Sequence, residues 1–242
     1  MENNTTKYLK YALGEIILVV IGILIALQIN NWNEERKDRK TEVKLLLELK
    51  EDLIETKNDL LTDIEKSQQI IDTTNSIYRT IIENGISDKV PLKISTTYIL
   101  EVSLLYPKLS AYETIQSTGI NIISNDKLRK RITDFFQLQL KRVASAEEYL
   151  EGIDSNLLKP YLHSHSRYGN NCRNCPDLYS LFDSNNSMET NLYIMSNIDD
   201  ELVHILKERF TVFRTLNRRY LDLSSSIDDI IILINQEISL KE

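Results

Sequence analysis

The sequence predicts an all-α protein in which an N-terminal transmembrane helix leads into an elongated antiparallel helical bundle. Residues 16–27 form an unbroken apolar run. The chain has only 6 Gly and 4 Pro among 242 residues, about a third of their usual joint share of about 12%. These two residue types interrupt helices, and residues 36–84 and 177–242 contain neither. Outside the apolar run, hydrophobic residues recur every three or four positions with charged residues between them, the pattern of a half-buried helix.

The apolar segment comes first. Residues 12–29 read ALGEIILVVIGILIALQI, with Tyr11 and Trp32 where interfacial aromatic anchors belong. This predicts a tail over residues 1–10 and a membrane span over 11–32. No small-x-small cleavage site follows the apolar core, and helical patterning resumes after Trp32, so the segment reads as a signal anchor rather than a cleaved leader. Gly22 and Ala26 make a small-xxx-small pair, and Gly14 adds a third small residue, a composition that lets two membrane helices approach closely.

Beyond the span, residues 33–242 predict a single bundle domain. Val43, Leu46, Leu49, Leu53, Leu60, Ile64, Ile71, Ile77 and Ile81 place a helix over about residues 34–84, roughly 70 Å long and continuous with the span. Asn84 and Gly85 supply its stop. A second, broken helix is expected over residues 95–106, ending before Pro107 and restarting with the capping box from Ser110 to Glu113. Gly119 then ends it. Asn125 is placed to cap a third helix with the stripe Leu128, Ile132, Phe135, Gln139, Val143, Ala146, Tyr149, Ile153 and Leu157, which is expected to stop at Pro160. An irregular loop over 161–197 precedes the last helix, residues 198–240. Its stripe of Leu202, Ile205, Phe213, Leu216, Tyr220, Leu223, Ile227, Ile231, Ile234 and Ile238 makes it the strut that returns along the first helix toward the membrane.

Charge and motifs narrow the function. A net charge of -7 and a pI of about 5.2 disfavour nucleic acid, which needs a surplus of Lys and Arg on one face. Lys127, Arg129, Lys130 and Arg131, and likewise Arg209, Arg214, Arg218 and Arg219, read as solvated helix faces. The phosphate-cradling patterns GxxxxGK and GxGxxG are missing from the sequence, as are HExxH and GxSxG. The expectation is therefore no enzyme and no bound cofactor. Glu201 and His204 have the spacing of two di-iron ligands, but a bundle site of that type needs a second copy of the motif.

The loop carries the best candidate chemistry. His163, His165, Cys172 and Cys175 together have the ligand count for zinc, while in an oxidising compartment Cys172 and Cys175 more readily form a small local disulfide. Two function classes follow. One is a non-enzymatic scaffold that binds membrane lipid through its anchor and associates with a second copy or another envelope protein. The other is a small-ligand or metal sensor built on the His/Cys loop.

Two blocks of the sequence, KYLKYALGEIILVVIGILIALQINNWNEERK at residues 7–37 and AYETIQSTGINIISNDKLRKRITDFF at residues 111–136, resemble an uncharacterised family of single-span membrane proteins common in Bacteroidota-type bacteria. The resemblance implies the anchor and the helical domain, places the chain in the inner (cytoplasmic) membrane with its domain in the periplasm, and implies no activity. Local charge points the other way: Lys7 and Lys10 precede the span, whereas Arg36, Lys37, Arg39, Lys40, Lys44 and Lys50 follow it.

Overall fold

A computed structural model describes residues 3–84, 92–95, 99–100, 104–170, 191–195 and 197–240. Helix α1 (Asn3–Asn84) runs unbroken for 82 residues, about 120 Å at about 1.5 Å per residue. Every residue from 13 to 41 is exposed and burial begins at Glu42. This first part is one helix long and apolar enough to cross a membrane. From Glu42 onward the predicted stripe is buried through Leu46, Leu49, Leu53, Leu60, Ile71 and Ile77.

The returning strut forms as expected. We label it α6 (Asp200–Ser239); Asp199 caps it by accepting from the backbone N–H of Leu202 at 3.2 Å. Two side-chain bridges fix its direction against α1. Lys57 Nζ meets both carboxylate oxygens of Asp228 at 2.5 and 2.7 Å, and Asn217 Nδ2 donates to Gln68 Oε1 at 3.0 Å. Residues thus pair in reverse order, and α6 finishes beside Glu42, about 15 Å of helix beyond Trp32.

Between the struts the chain makes a shorter hairpin. Residues 104–109 are irregular, not the expected helix. Their amides find side-chain acceptors instead: Leu105 N–H donates to Glu147 Oε1 at 2.9 Å and Lys108 N–H to Thr56 Oγ1 at 3.0 Å. Helix α2 (Ser110–Thr118) follows. The expected capping box does not form, because Asp52 of α1 takes over the role of cap. Its Oδ2 accepts from the Ala111 amide at 2.8 Å and from the Ser110 hydroxyl at 2.9 Å. Replacing Asp52 by Ala should therefore cost about 1–2 kcal/mol and loosen the 110–118 amides in hydrogen exchange, whereas Glu113→Ala should change little.

Gly119 ends α2 at φ +109°, a region where glycine alone is unstrained. Asn125 then caps α3 (Asp126–Asp134) by accepting from Leu128 N–H at 3.1 Å, as its position predicted. The helical run continues over 126–165 as α3, α4 (Leu140–Ile153) and α5 (Lys159–His165), joined by π-helical turns at Phe135–Gln139 and Asp154–Leu158.

Each π-turn inserts a residue and rotates the stripe beyond it by about 100°. Burial accordingly falls on Val143, Glu147, Leu150, Asp154 and Leu158, while the expected Tyr149 and Leu157 face outward. The second π-turn also carries the helix through Pro160, where a stop was expected. Lys159 N–H reaches back five residues to the Asp154 carbonyl, and Pro160 stands in the first turn of α5, where its missing N–H is tolerated.

The end far from the apolar segment holds a small three-stranded sheet in the order β1-β3-β2. It comprises β1 (Leu92–Ser95), β2 (Arg167–Asn170) and β3 (Asn191–Met195), antiparallel at both contacts. Leu92, Ile94 and Met195 of this sheet pack with Ile77, Leu158, Leu162 and Leu202 into a core of their own, next to the longer core of the bundle. Two of these strands, β2 and β3, lie within the expected irregular loop of residues 161–197, and β1 ends at Ser95, where a helix is expected to start.

Candidate functional site

The most unusual chemistry lies inside the bundle. Along α6, Arg209, Phe213, Leu216 and Tyr220 recur at steps of three or four and all point inward. Arg209, expected on a solvated face, has a fully buried side chain, and its partner Asp154 is 1% exposed. Arg209 Nε donates to Asp154 Oδ1 at 2.8 Å and Nη2 to Oδ2 at 3.3 Å, a two-point pairing across the core. The guanidinium also lies 4.7 Å from the centre of the Phe213 ring. A guanidinium suits this place because its charge is delocalised and weakly hydrated. Burial holds the Asp154 carboxyl above its ordinary range even though Arg209 opposes the shift.

A second buried pair sits further along. Tyr220 Oη donates to Glu147 Oε1 at 2.5 Å, and the same oxygen accepts the Leu105 amide. Burial raises Glu147 from its ordinary range, with Asp63 of α1 adding repulsion and the two hydrogen bonds opposing. Burial likewise raises the Tyr220 hydroxyl, and the hydrogen bond to Glu147 adds to the shift. The tyrosine therefore remains a proton donor that ties α6 to α4 and to the segment after β1.

The third polar junction is at the level where α1 emerges. Ser124 N–H and Oγ donate to Glu42 Oε1 at 2.8 and 3.1 Å, and Asn125 Nδ2 donates to Glu237 Oε2 at 2.6 Å. These contacts tie the turn after α2 to both long struts. Their chemistry is structural: each carboxylate meets groups of its own chain inside the packed bundle.

Cys172 and Cys175 lie outside the described residues. His163 and His165 end α5, both exposed and about 200° apart on the helix at two positions' separation. His165 stacks on Tyr161 with ring centres 4.2 Å apart, and its Nδ1 contacts the Ser164 hydroxyl at 2.8 Å. Among the described residues no three His, Cys, Asp or Glu side chains converge to hold a metal. Glu201 and His204 are exposed on α6. Lys127, Lys130 and Arg131 are solvent-facing as expected, and Arg129 pairs with Asp126 and donates to the Ile123 carbonyl at 2.8 Å.

Gly14, Gly22 and Ala26 lie on the exposed part of α1, and a Cβ added at either glycine would meet nothing within 4 Å. Among the described residues, therefore, nothing packs against either glycine.

The model of a family of unknown function, DUF6090, matches residues 15–156, more than half of the chain. The chain belongs to the DUF6090 family. No curated protein and no solved structure matches it. The matched stretch starts inside the apolar helix and ends in the second π-turn, so it contains Asp154 and Glu147 but not the α6 residues that pair with them.

This DUF6090 protein also has a groove of about 390 Å³ between α1 and α6, lined by Thr74, Asn75, Tyr78, Lys207 and Phe210 among others. Lys207 Nζ stands 5.5 Å from the centre of the Tyr78 ring. Sequence reasoning missed the Arg209–Asp154 pair, although a signal was present. The apolar stripe of α6 steps from Ile205 to Phe213, and Arg209 stands midway, four residues from each and next to Phe210.

Proposed function

We propose that this DUF6090 protein is a single-span protein of the bacterial inner membrane, of Bacteroidota type, whose helical bundle is a non-enzymatic module for protein association in the cell envelope. Residues 11–32 are its anchor. The observation that carries this reading is the continuity of α1. One helix contains the exposed apolar segment and then, without a break, the core positions Leu46, Leu49 and Leu53 of the bundle. A helix of this kind transmits orientation, so whatever the bundle engages is held at a set height and angle above the lipid. Lipid is the first partner, and a second copy or another envelope protein the next.

The test is fractionation of cells producing the full chain. It should sediment with membranes, resist extraction by alkaline carbonate and dissolve in detergent. Release by carbonate would remove the spanning helix and the reading built on it. The bundle is assigned to the periplasmic side, which the cysteines can check. Cys172 and Cys175 should resist a membrane-permeant maleimide in intact cells until a reductant is added, as a local disulfide requires. Thiols that react at once would place the domain in the cytoplasm, and thiols that react only after chelation would point to zinc.

A further inference from the structure

Two side chains in the floor of the groove between α1 and α6 carry polar atoms that folding leaves unused. Thr74, 1% exposed, lines the groove, and among the described residues its hydroxyl has no hydrogen-bond partner. Neighbouring helical threonines bond the preceding turn: Thr80 donates to the Ser76 carbonyl at 3.0 Å, and Thr211, across the groove, to the Lys207 carbonyl at 2.8 Å. On the side nearer the apolar segment the groove continues, past the shared Asn75 and Phe210, into a second compartment of about 340 Å³. There Asn217, 8% exposed, gives its amide nitrogen to Gln68 and leaves its Oδ1 without a partner among the described residues. Buried polar atoms without partners destabilise a fold, so two along one groove need a reason other than packing.

The groove is cationic although the chain has a net charge of -7. Lys207, Arg214 and Arg218 line it from α6, and none of them forms an ion pair among the described residues. Lys207 lies over the Tyr78 ring instead, and the Arg214 guanidinium is 5.8 Å from the centre of the Phe210 ring. The acid that lines the second compartment, Asp72, already accepts from Gln68 at 3.1 Å. The first compartment, about 390 Å³, is lined by no carboxylate, and Leu206 with the rings of Tyr78 and Phe210 gives it apolar walls. That size, with apolar walls and a few placed polar groups between two helices, suits a small molecule.

We propose that the first compartment binds a small carboxylate with an apolar, ring-sized body and one further hydrogen-bonding group. The carboxylate meets Lys207 at the exposed mouth, the body lies against Tyr78 and Phe210, and the second polar group partners the Thr74 hydroxyl. An anion is selected because Lys207 is the charged side chain that lines this compartment and no acid there competes for it. A polar group is selected because a wholly apolar body would cover the Thr74 hydroxyl and leave it unpartnered still. The site goes beyond the association reading above and does not depend on it, since it needs only the packed pair of α1 and α6. Thr74 is then kept for binding at a cost in stability.

The experiment is a ligand-observed NMR titration of the full chain in lipid nanodiscs, against empty nanodiscs, with 3-(4-hydroxyphenyl)propionate and its uncharged amide as probes. The carboxylate should bind with a Kd of about 1 mM or tighter, the level that roughly a dozen non-hydrogen atoms reach, and the amide at least about tenfold more weakly. Lys207→Gln should remove that preference and leave the carboxylate as weak as the amide. Thr74→Val should weaken the carboxylate about three- to tenfold while the urea midpoint of the free chain stays the same or rises, because an unpartnered buried hydroxyl does not support the fold. No binding by either probe, equal binding by both, or a preference that survives Lys207→Gln overturns the site, as does Thr74→Val with unchanged binding or a lowered midpoint. Release of the chain from membranes by carbonate would overturn the anchor and leave this site standing.

Discussion

Changing Arg209 to Ala should destabilise the bundle by about 3–5 kcal/mol, the range for removing one partner of a buried ion pair. The side chain is fully buried and offers Asp154 two donors. Without them the carboxyl faces the core and must either remain charged at high cost or take up a proton. The two outcomes separate with pH. Asp154 already sits above its ordinary range because of burial, and losing Arg209 raises it further, so the penalty should grow from acid to neutral pH. Replacing both partners with apolar residues, Arg209→Met with Asp154→Leu, should cost less than half as much, since the methionine can still cover Phe213. Urea titration of the detergent-solubilised chain, followed by loss of helicity, measures all three proteins. A loss under about 1 kcal/mol for Arg209→Ala would show that the pair contributes little.

Glu147 should separate hydrogen bonding from charge. Its Oε1 accepts from both the Leu105 amide and the Tyr220 hydroxyl. Glu147→Ala strands two buried donors, at about 1–3 kcal/mol each. Glu147→Gln keeps the accepting oxygen and removes the charge, so its cost at neutral pH should be small. The pH dependence has a defined sign. Burial raises the folded-state pKa of Glu147 above 4.5, so the native protein binds more protons than the unfolded chain in the window just above that value. Stability from this group is complete below pH 4.5 and is lost as pH rises through the raised pKa. The wild-type chain should therefore lose stability across that window relative to Glu147→Gln, whose denaturation midpoint lacks this slope. Parallel midpoints for the two proteins would show that Glu147 does not titrate as its burial requires.

These two sites mark where sequence reasoning stops. The apolar stripes of α1 and α6 were legible because they follow an undisturbed helical period, and the Asn125 cap was legible because its hydrogen bond is local. Acidic neighbours at helical spacing along α6 make Arg209 read as part of a solvated face. The structure reverses that by supplying Asp154 from another helix. Tyr149 and Leu157 were assigned inward by a period that two π-turns interrupt, and local patterning carries no sign of where an extra residue enters a helix. The capping box at Ser110 was a sound local pattern, displaced by a carboxylate 58 residues earlier in the chain.

The sequence alone determined the apolar span, the all-α class, the two long struts and the turn at Gly119. Each depends on interactions within a few residues: hydropathy over one helix, helical period, or the backbone freedom of a single glycine. Tertiary structure decided which charges are buried, how residues 104–109 satisfy their amides, that 92–95, 167–170 and 191–195 form a sheet, and that the buried Thr74 hydroxyl meets no partner among the described residues. Those outcomes depend on which distant groups come within hydrogen-bonding or packing distance, and only the assembled bundle sets that.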